Sequence, residues 1–367
     1  MTRKLLILPL LLAFVVLSVN VVPMPAQAQD ASDIGWVCPE EFAGQQLNVF
    51  NWSLYISEAA IPNFEELCDV KVVYDTYDTT EAVFTRLREG NPGFDVVFLS
   101  DFMVTLMGEE DLLEPLDLDL IPNFANIGDE FKDPAYDPGN VYSVPYLWGS
   151  TGISYNVERV DEITSWNDLF DYDGPVAWMD EPTVMLGVAL LMNGHDPNSV
   201  DSDEIAEARD YLIDKGGNVR TIAASDGTFL LETGEVDIIV GYSGELFQIL
   251  TNCECDDFAY AIPEEGGNIY VDTMTIPTGA RNPELAHAFI DYMLDPVVGA
   301  ANANEIGYAS PNQVSIDMGL IDPSYLENGV IYLEPETIER LFYITQNPEG
   351  ELDRLDAWDE VSLMVGE

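Results

Sequence analysis

Residues 266–277 read Gly-Gly-Asn-Ile-Tyr-Val-Asp-Thr-Met-Thr-Ile-Pro. The two glycines favour a turn, and the residues after them alternate as a β-strand requires. One face of this strand would carry Tyr270, Asp272, Met274 and Ile276. A carboxylate among such aromatic and apolar neighbours is expensive to remove from water unless a cation pairs with it.

The cationic partner of Asp272 is not evident from the sequence. The nearest basic residues, Arg220 and Arg281, lie outside the strand. Two interpretations follow: Asp272 is a solvated carboxylate at the edge of a sheet, or its partner is a bound cation. We take the bound cation as the working hypothesis.

Toward the N-terminus, short apolar strands alternate with helices. Strands are predicted at residues 47–51, 71–77 and 95–99, with helices between them. This order is typical of a parallel sheet covered by helices. Ligands of such sheets bind beyond the carboxyl ends of the strands, which indicates segments 52–55 and 100–102.

Residues 142–156 are extended for longer than one strand needs and have small residues in their middle. We interpret this segment as a crossing between two lobes. A second series follows, with strands predicted at 176–179, 236–241 and 258–262 and helices near 183–192, 202–214, from 243, and 283–294. The predicted fold class is therefore α/β with two lobes, for which 367 residues suffice.

The chain is strongly acidic, with 67 acidic and 13 basic residues and a net charge of −54. Such a field disfavours nucleic acid and concentrates cations near the surface. A solvated acidic surface suited to salty surroundings explains most of this charge more simply. Aromatic residues at 11% and hydrophobic residues at 47% argue against a disordered chain.

The first 28 residues have the features of a secretory signal peptide. Two basic residues precede an apolar run at 5–22, and Ala-Gln-Ala at 26–28 suits cleavage before Gln29. The run is long enough that an uncleaved anchor is an alternative. We expect a periplasmic or extracellular protein.

Four cysteines in an exported chain favour disulfides. A bridge between Cys38 and Cys68 would stabilise the fold by about 3–4 kcal/mol in the chain-entropy model. Cys253 and Cys255 are interpreted as a small loop disulfide. A metal clip at that pair would need further ligands, and both histidines are distant in sequence.

A set of motifs, taken in order over residues 46–312, resembles the spermidine/putrescine-binding periplasmic proteins. Each motif is short, but the ordered set is specific to that family. The motifs are Phe50–Tyr55, Asp95–Ser100, Tyr142–Asn156, Ser165–Leu169, Gly234–Val236, Glu264–Gly267 and Ile306–Asn312.

This resemblance implies two α/β lobes, at 46–147 plus 273–309 and at 148–272 plus 310–367, that hold a polyamine and pass it to a membrane ABC permease. Carboxylates would pair with the ammonium ends, and aromatic faces would cover the methylenes, adding roughly 0.5–2 kcal/mol each. We also expect a monomer that needs no metal or cofactor. The positions that the resemblance assigns to the ligand are Trp52, Ser53, Tyr55, Ser100, Phe102, Glu181, Ser225, Tyr242, Tyr270 and Asp272.

The sequence departs from the family pattern at several of these positions. Tyr242 and Tyr270 stand where tryptophan is frequent, and Phe102 stands in place of a tyrosine. Val184 replaces a second carboxylate near Glu181. Asp101 or Asp180 could substitute for that carboxylate, and Gln346 is the candidate for a glutamine that the family uses.

Two alternative functions are weighed against polyamine binding by the same residues. A binding protein for another organic cation or solute would use the same fold. A paired-carboxylate hydrolase is a second alternative, but the acids show no arrangement that separates an acid from a base. The sequence also has no Gly-x-Ser-x-Gly, His-Glu-x-x-His or P-loop motif.

Overall fold

The computed structural model describes residues 33–223, 227–253, 255, 257–345 and 348–365. The strands are β1 (Gln46–Trp52), β2 (Lys71–Tyr77), β3 (Val96–Ser100), β4 (Ser143–Asn156), β5 (Val176–Met179), β6 (Val219–Ala223), β7 (Ile238–Tyr242), β8 (Phe258–Ala261) and β9 (Ile269–Thr275).

Helices cover the strands and fill the connections between them. They are α1 (Ala60–Cys68), α2 (Thr80–Arg88), α3 (Asp101–Glu109), α4 (Trp166–Phe170), α5 (Pro182–Met192), α6 (Ser202–Lys215), α7 (Gly227–Thr233), α8 (Ser243–Cys253), α9 (Pro283–Met293), α10 (Pro296–Ile306), α11 (Gln313–Asp317), α12 (Pro323–Leu326), α13 (Pro335–Ile338) and α14 (Pro348–Met364).

The strands form one mixed sheet in the order β2-β1-β3-β9-β4-β7-β5-β6, with β8 also paired to β4. β1 pairs in parallel with β2 and β3, and β5 pairs in parallel with β6 and β7. β9 and β4 are antiparallel to their neighbours and lie in the middle. The parallel units predicted from the strand and helix rhythm are confirmed.

β4 joins the two halves of the molecule. Its residues 143–150 pair with β9, whereas residues 151–156 pair with β7 and β8. A single extended segment therefore runs from one sheet region into the other, as the sequence of residues 142–156 predicted. The lobe boundaries at 147/148 and 272/273 stay a prediction.

Side chains alternate between the two faces of β1 and β3, and helices cover both faces. Phe50, Val97 and Leu99 pack in one core cluster, which includes residues of α2 and α3. Val49 and Phe98 point to the opposite cluster, with residues of α1, α9 and α10. Both faces of these strands are buried, as expected for parallel strands between helix layers.

A disulfide and a hydrogen bond connect the N-terminal segment to α1 and α9. The predicted disulfide between Cys38 and Cys68 is present. The Trp36 Nε1 donates a hydrogen bond of 2.7 Å to Asp291 Oδ2 on α9. Cys255 is disulfide-bonded too, while the side chain of its expected partner Cys253 lies outside the described residues.

Several expectations fall outside the described residues, namely the signal peptide, Ser225 and Gln346. β6 was not predicted, and the strand expected at 236–241 occupies Ile238–Tyr242. Among the helices described here, none combines the length and the apolar character needed to cross a membrane.

Candidate functional site

The site forms where β1 and β3 end and β9 passes beside them. Ser100, the last residue of β3, is directly opposite Asp272 of β9 in the antiparallel register. The chain after β1 turns back at Leu54, which is 85% exposed and has a φ of 55°. This turn leaves Ser53 exposed and returns Tyr55 to the interior. Elements distant in sequence thus converge on Asp272.

Asp272 is 5% exposed. The Tyr55 hydroxyl donates to its Oδ2 at 2.7 Å, and the Ser100 hydroxyl donates to its Oδ1 at 2.7 Å. Burial raises the pKa of Asp272 to about 6, although both hydrogen bonds act in the opposite direction. None of the ion pairs among the described residues includes Asp272. The interpretation as a solvated edge carboxylate is therefore wrong.

Aromatic rings surround this carboxylate. Tyr55 meets Tyr308 edge to face with centroids 5.1 Å apart, and Tyr242 meets Tyr270 in the same way at 5.2 Å. Trp52 lies 4.4 Å from the ring of Tyr77. The Nε1 of Trp52 is buried and has no hydrogen-bond partner among the described residues. The rings supply apolar faces and hydroxyl groups around a negative charge, which suits a cation with a hydrocarbon body.

Tyr308 also lies in the cluster around Asp272, and the sequence analysis did not predict it. It is 7% exposed and follows Gly307, which ends α10 with a φ of 84°. Asp272 raises the pKa of its hydroxyl, after the larger effects of burial and Glu245. The signal was available, because Tyr308 lies inside the motif at residues 306–312.

Glycines allow the rings to approach the backbone closely. A Cβ on Gly149 would lie 2.5 Å from the Tyr270 hydroxyl oxygen and 3.0 Å from the Ser243 Oγ. A Cβ on Gly244 would lie 2.1 Å from the ring of Tyr308. We call the rings of Trp52, Tyr55, Tyr242, Tyr270 and Tyr308 the box. Its packing therefore requires small residues in β4 and in the first turn of α8.

Glu245 is an acidic residue near this cluster that the sequence analysis also did not predict. It lies in the first turn of α8, directly after β7, and its Oε2 accepts a 3.1 Å hydrogen bond from the Tyr242 backbone. Burial raises the pKa of Glu245 to about 7. The rule that indicated the ends of β1 and β3 applies equally to β7 and would have found it.

Asp101 is also close to Asp272. It is 1% exposed, and its two oxygens accept hydrogen bonds from the backbone N–H groups of Phe102 and Val271 at 2.7 and 3.3 Å. Burial, supported by the charge of Asp272, raises the pKa of Asp101 to about 8. That Asp101 substitutes for the second carboxylate near Glu181 stays a prediction.

The remaining predicted residues are more dispersed. Phe102 is 8% exposed and packs in the core cluster of α2 and α3. Glu181 is half-buried at the residue before α5. Asp180 is exposed and accepts a 3.0 Å hydrogen bond from Trp358. No group of three or more potential metal-ligating side chains occurs in the part of the chain that the structure describes.

The fold, together with the buried acidic and tyrosine-rich cluster around Asp272, indicates the class of protein: a two-lobed α/β binding protein. Comparison with known proteins identifies the family. Residues 59–325 match the model of the bacterial extracellular solute-binding protein family, and the chain belongs to that family. Its members bind solutes, which confirms the prediction of a binding protein and does not support the hydrolase alternative.

Individual relatives cover most of the chain. The putrescine/agmatine-binding protein of Pseudomonas aeruginosa is 30% identical over 352 residues, 90% of this chain and 94% of that protein. The spermidine/putrescine-binding periplasmic protein of Escherichia coli is 30% identical over 80% of this chain and 84% of its own length. The substrate-binding protein PotD of a spermidine/putrescine ABC transporter from Streptococcus pneumoniae has a TM-score of 0.78 at 32% identity, covering 88% of this chain and 99% of that structure. The predicted two-lobed α/β fold is confirmed.

Proposed function

We propose that this protein binds a polyamine such as putrescine or spermidine in its cleft and delivers it to a membrane ABC permease. The observation that carries the proposal is Asp272, a buried carboxylate without a cationic partner among the described residues. The names of the Pseudomonas, Escherichia and Streptococcus relatives support the same ligand class.

The contacts of Asp272 suit an ammonium group. Each carboxylate oxygen accepts one hydrogen bond, Oδ2 from Tyr55 and Oδ1 from Ser100. An ammonium can donate to the lone pairs that remain on these oxygens. The rings of Trp52, Tyr242 and Tyr270 can then cover the methylene chain and attract the charge at its end. An anionic solute would instead place like charges together in a desolvated cleft.

A polyamine has a second ammonium, which requires a second acceptor. Glu181 holds the position that the family resemblance indicates, and Glu245 is a buried acid at the end of β7. We propose that one of them receives this group. Glu181→Gln and Glu245→Gln should differ by at least tenfold in their effect on putrescine affinity, and the larger loss identifies the partner.

The proposal includes export and a monomeric state. We propose that residues 1–28 are a cleaved signal peptide. The match to a family of extracellular solute-binding proteins and the periplasmic relatives support export. The lobes proposed at 46–147 plus 273–309 and at 148–272 plus 310–367 would close around the ligand.

A thermal-shift panel tests the ligand class. Stabilisation follows RT ln(1 + [L]/Kd), so a micromolar ligand at millimolar concentration should contribute about 4 kcal/mol. Putrescine and spermidine should raise the melting temperature, and sugars should not. A shift with betaine but with neither polyamine would favour the alternative of another organic cation, and a shift with sugars alone would refute the proposal.

Calorimetric titration of Asp272→Asn tests the site. Removing one partner of a buried charge pair costs about 2–5 kcal/mol, which corresponds to at least about 25-fold weaker binding. Asp119→Asn is the matched control, because Asp119 is an exposed acid far from β9 in sequence. Equal affinities for the two variants would exclude Asp272 as the ammonium partner.

A further inference from the structure

Asp101 is built into the strand pairing beside the candidate ammonium site. β3 ends at Ser100, and α3 begins at Asp101, so the backbone leaves the sheet at this point. The Asp101 carboxylate nevertheless accepts the Val271 N–H of β9. Since Ser100 pairs with Asp272, this side chain continues the β3–β9 pairing by one step. Two carboxylates therefore lie at successive positions of one strand pair.

Among the described residues, Asp101 has no positively charged partner. No ion pair within the described ranges includes it, and the titratable groups that interact with it are acids and phenols. They are Asp272 of β9, Tyr136 of the loop before β4 and Tyr343 of the C-terminal segment, with Asp137 beside Tyr136 and Tyr55 bonded to Asp272.

Asp101 and Asp272 differ in their hydrogen-bond donors. Asp272 receives two hydroxyl groups at 2.7 Å. Asp101 receives two backbone N–H groups, of which the one from Val271 is long at 3.3 Å. The hydroxyl of Tyr136 is buried and makes no hydrogen bond within the described part of the chain, so it does not donate one to an ionised Asp101. The ionised form of Asp101 is thus the less well supported of the two carboxylates.

We propose that Asp101 carries a proton in the empty protein and releases it to the solvent when a cation binds against Asp272. The inference rests on the proposed function, since it requires a cationic ligand. In the step, the O–H bond of the carboxylic acid breaks, its electron pair stays on the oxygen, and the proton passes to the buffer. Asp101 thus acts on the ligand through its charge beside Asp272 and not through direct contact.

The electrostatic field of the bound cation explains why Asp101 would lose its proton. A positive charge beside Asp272 offsets the repulsion between the two carboxylates and favours ionisation of Asp101 in this poorly solvated region. Because binding releases a proton, ligand affinity must rise with pH. Burial raises the pKa of Asp101 to about 8, so the rise should reach up to about tenfold per pH unit between pH 6.5 and 8.

Calorimetric titration with putrescine at pH 8 in phosphate and in Tris measures the released protons from the difference in apparent enthalpy. Wild type should release about half a proton per ligand, since the pKa of Asp101 is about 8. Glu245 and Asp272, with pKa values of about 7 and about 6, are largely ionised at this pH. Asp101→Asn keeps an acceptor oxygen but has no proton to lose, so the release should disappear. Asp119→Asn should release as much as wild type.

Binding without proton release in wild type would overturn the inference and leave the proposed function standing. Unchanged release in Asp101→Asn would also overturn it, because another group would then supply the proton. If that variant does not fold, infrared difference spectra of wild type replace it: putrescine should remove a carboxylic-acid C=O band at pH 7.5, and its persistence refutes the inference. Failure of every amine to bind would remove the proposed function together with this inference.

Discussion

Replacing Asp272 by Asn should stabilise the empty protein at pH 8, although the same change should weaken polyamine binding. Burial raises the pKa of Asp272 from 3.8 to about 6. A folded pKa above the unfolded one means that folding favours the protonated form. The contribution of this group to stability is therefore complete below pH 3.8 and is lost as the pH rises through 6.

The magnitude follows from these two pKa values. Their difference corresponds to on the order of 3 kcal/mol that ionised Asp272 costs the folded state above pH 6. Asn removes this cost, but its NH2 group can no longer accept from one of the hydroxyls of Tyr55 and Ser100. Losing one such hydrogen bond costs about 1 kcal/mol. We expect a net gain of about 2 kcal/mol at pH 8 and none at pH 4.

Scanning calorimetry of ligand-free protein at the two pH values measures this gain, which should appear as a rise of several degrees in the melting temperature. The control variant Asp119→Asn removes the same charge from an exposed position and so accounts for the general repulsion within an acidic chain. A melting temperature of Asp272→Asn at or below that of the control at pH 8 would refute the reasoning. An equal gain at pH 4 would refute it too, because Asp272 is then protonated in wild type.

Further predictions concern the box, the disulfide and the surface. Tyr55→Phe removes a hydroxyl donor from the buried carboxylate, and putrescine affinity at pH 7 should fall about tenfold in calorimetric titration; unchanged affinity would contradict this role. Gly149→Ala should lower both the melting temperature and the affinity, because its Cβ would lie 2.5 Å from the Tyr270 hydroxyl oxygen. Removing the bridge between Cys38 and Cys68 by a double serine substitution should reduce the free energy of unfolding in urea by about 3–4 kcal/mol. Raising NaCl from 0.05 to 1 M should increase the melting temperature of the empty protein by screening a net charge of −54, and a decrease would show that repulsion is unimportant.

The sequence predicted those features that local pattern determines. Alternation around Asp272 indicated a strand with a carboxylate on an aromatic face, and β9 has that form with all seven residues buried. The length of residues 142–156 indicated the crossing that β4 makes. Residue type and spacing are sufficient in these cases, because one strand and its period of two determine which side chains share a face.

Other features depend on contacts that local pattern does not encode. β6 reads Val-Arg-Thr-Ile-Ala and was missed, because its pairing with β5 rather than an apolar run makes it a strand. Tyr308 reaches the site only through the left-handed turn at Gly307. Glu245 ends the segment Gly-Tyr-Ser-Gly-Glu at residues 241–245, and nothing in that sequence shows that its carboxylate is buried. Tertiary placement, not residue type, makes these residues part of the candidate site.

The free-energy cost of an ionised Asp272 in the empty protein is itself an argument for a cationic ligand. A chain with 67 acidic and only 13 basic residues could have paired this carboxylate with arginine or replaced it with an uncharged residue of similar size. Either change would remove a cost on the order of 3 kcal/mol. An arginine would occupy the position of the ligand cation, and an uncharged residue would remove the charge that binds it. A bound ammonium recovers the same free energy without a covalent partner, so the part of the binding energy that comes from this charge pair should increase as the pH rises through 6. The affinity that should be lost when Asp272 is protonated and the stability that the empty wild type should gain relative to Asp272→Asn over the same pH range are therefore two measurements of one quantity, and they should agree in size.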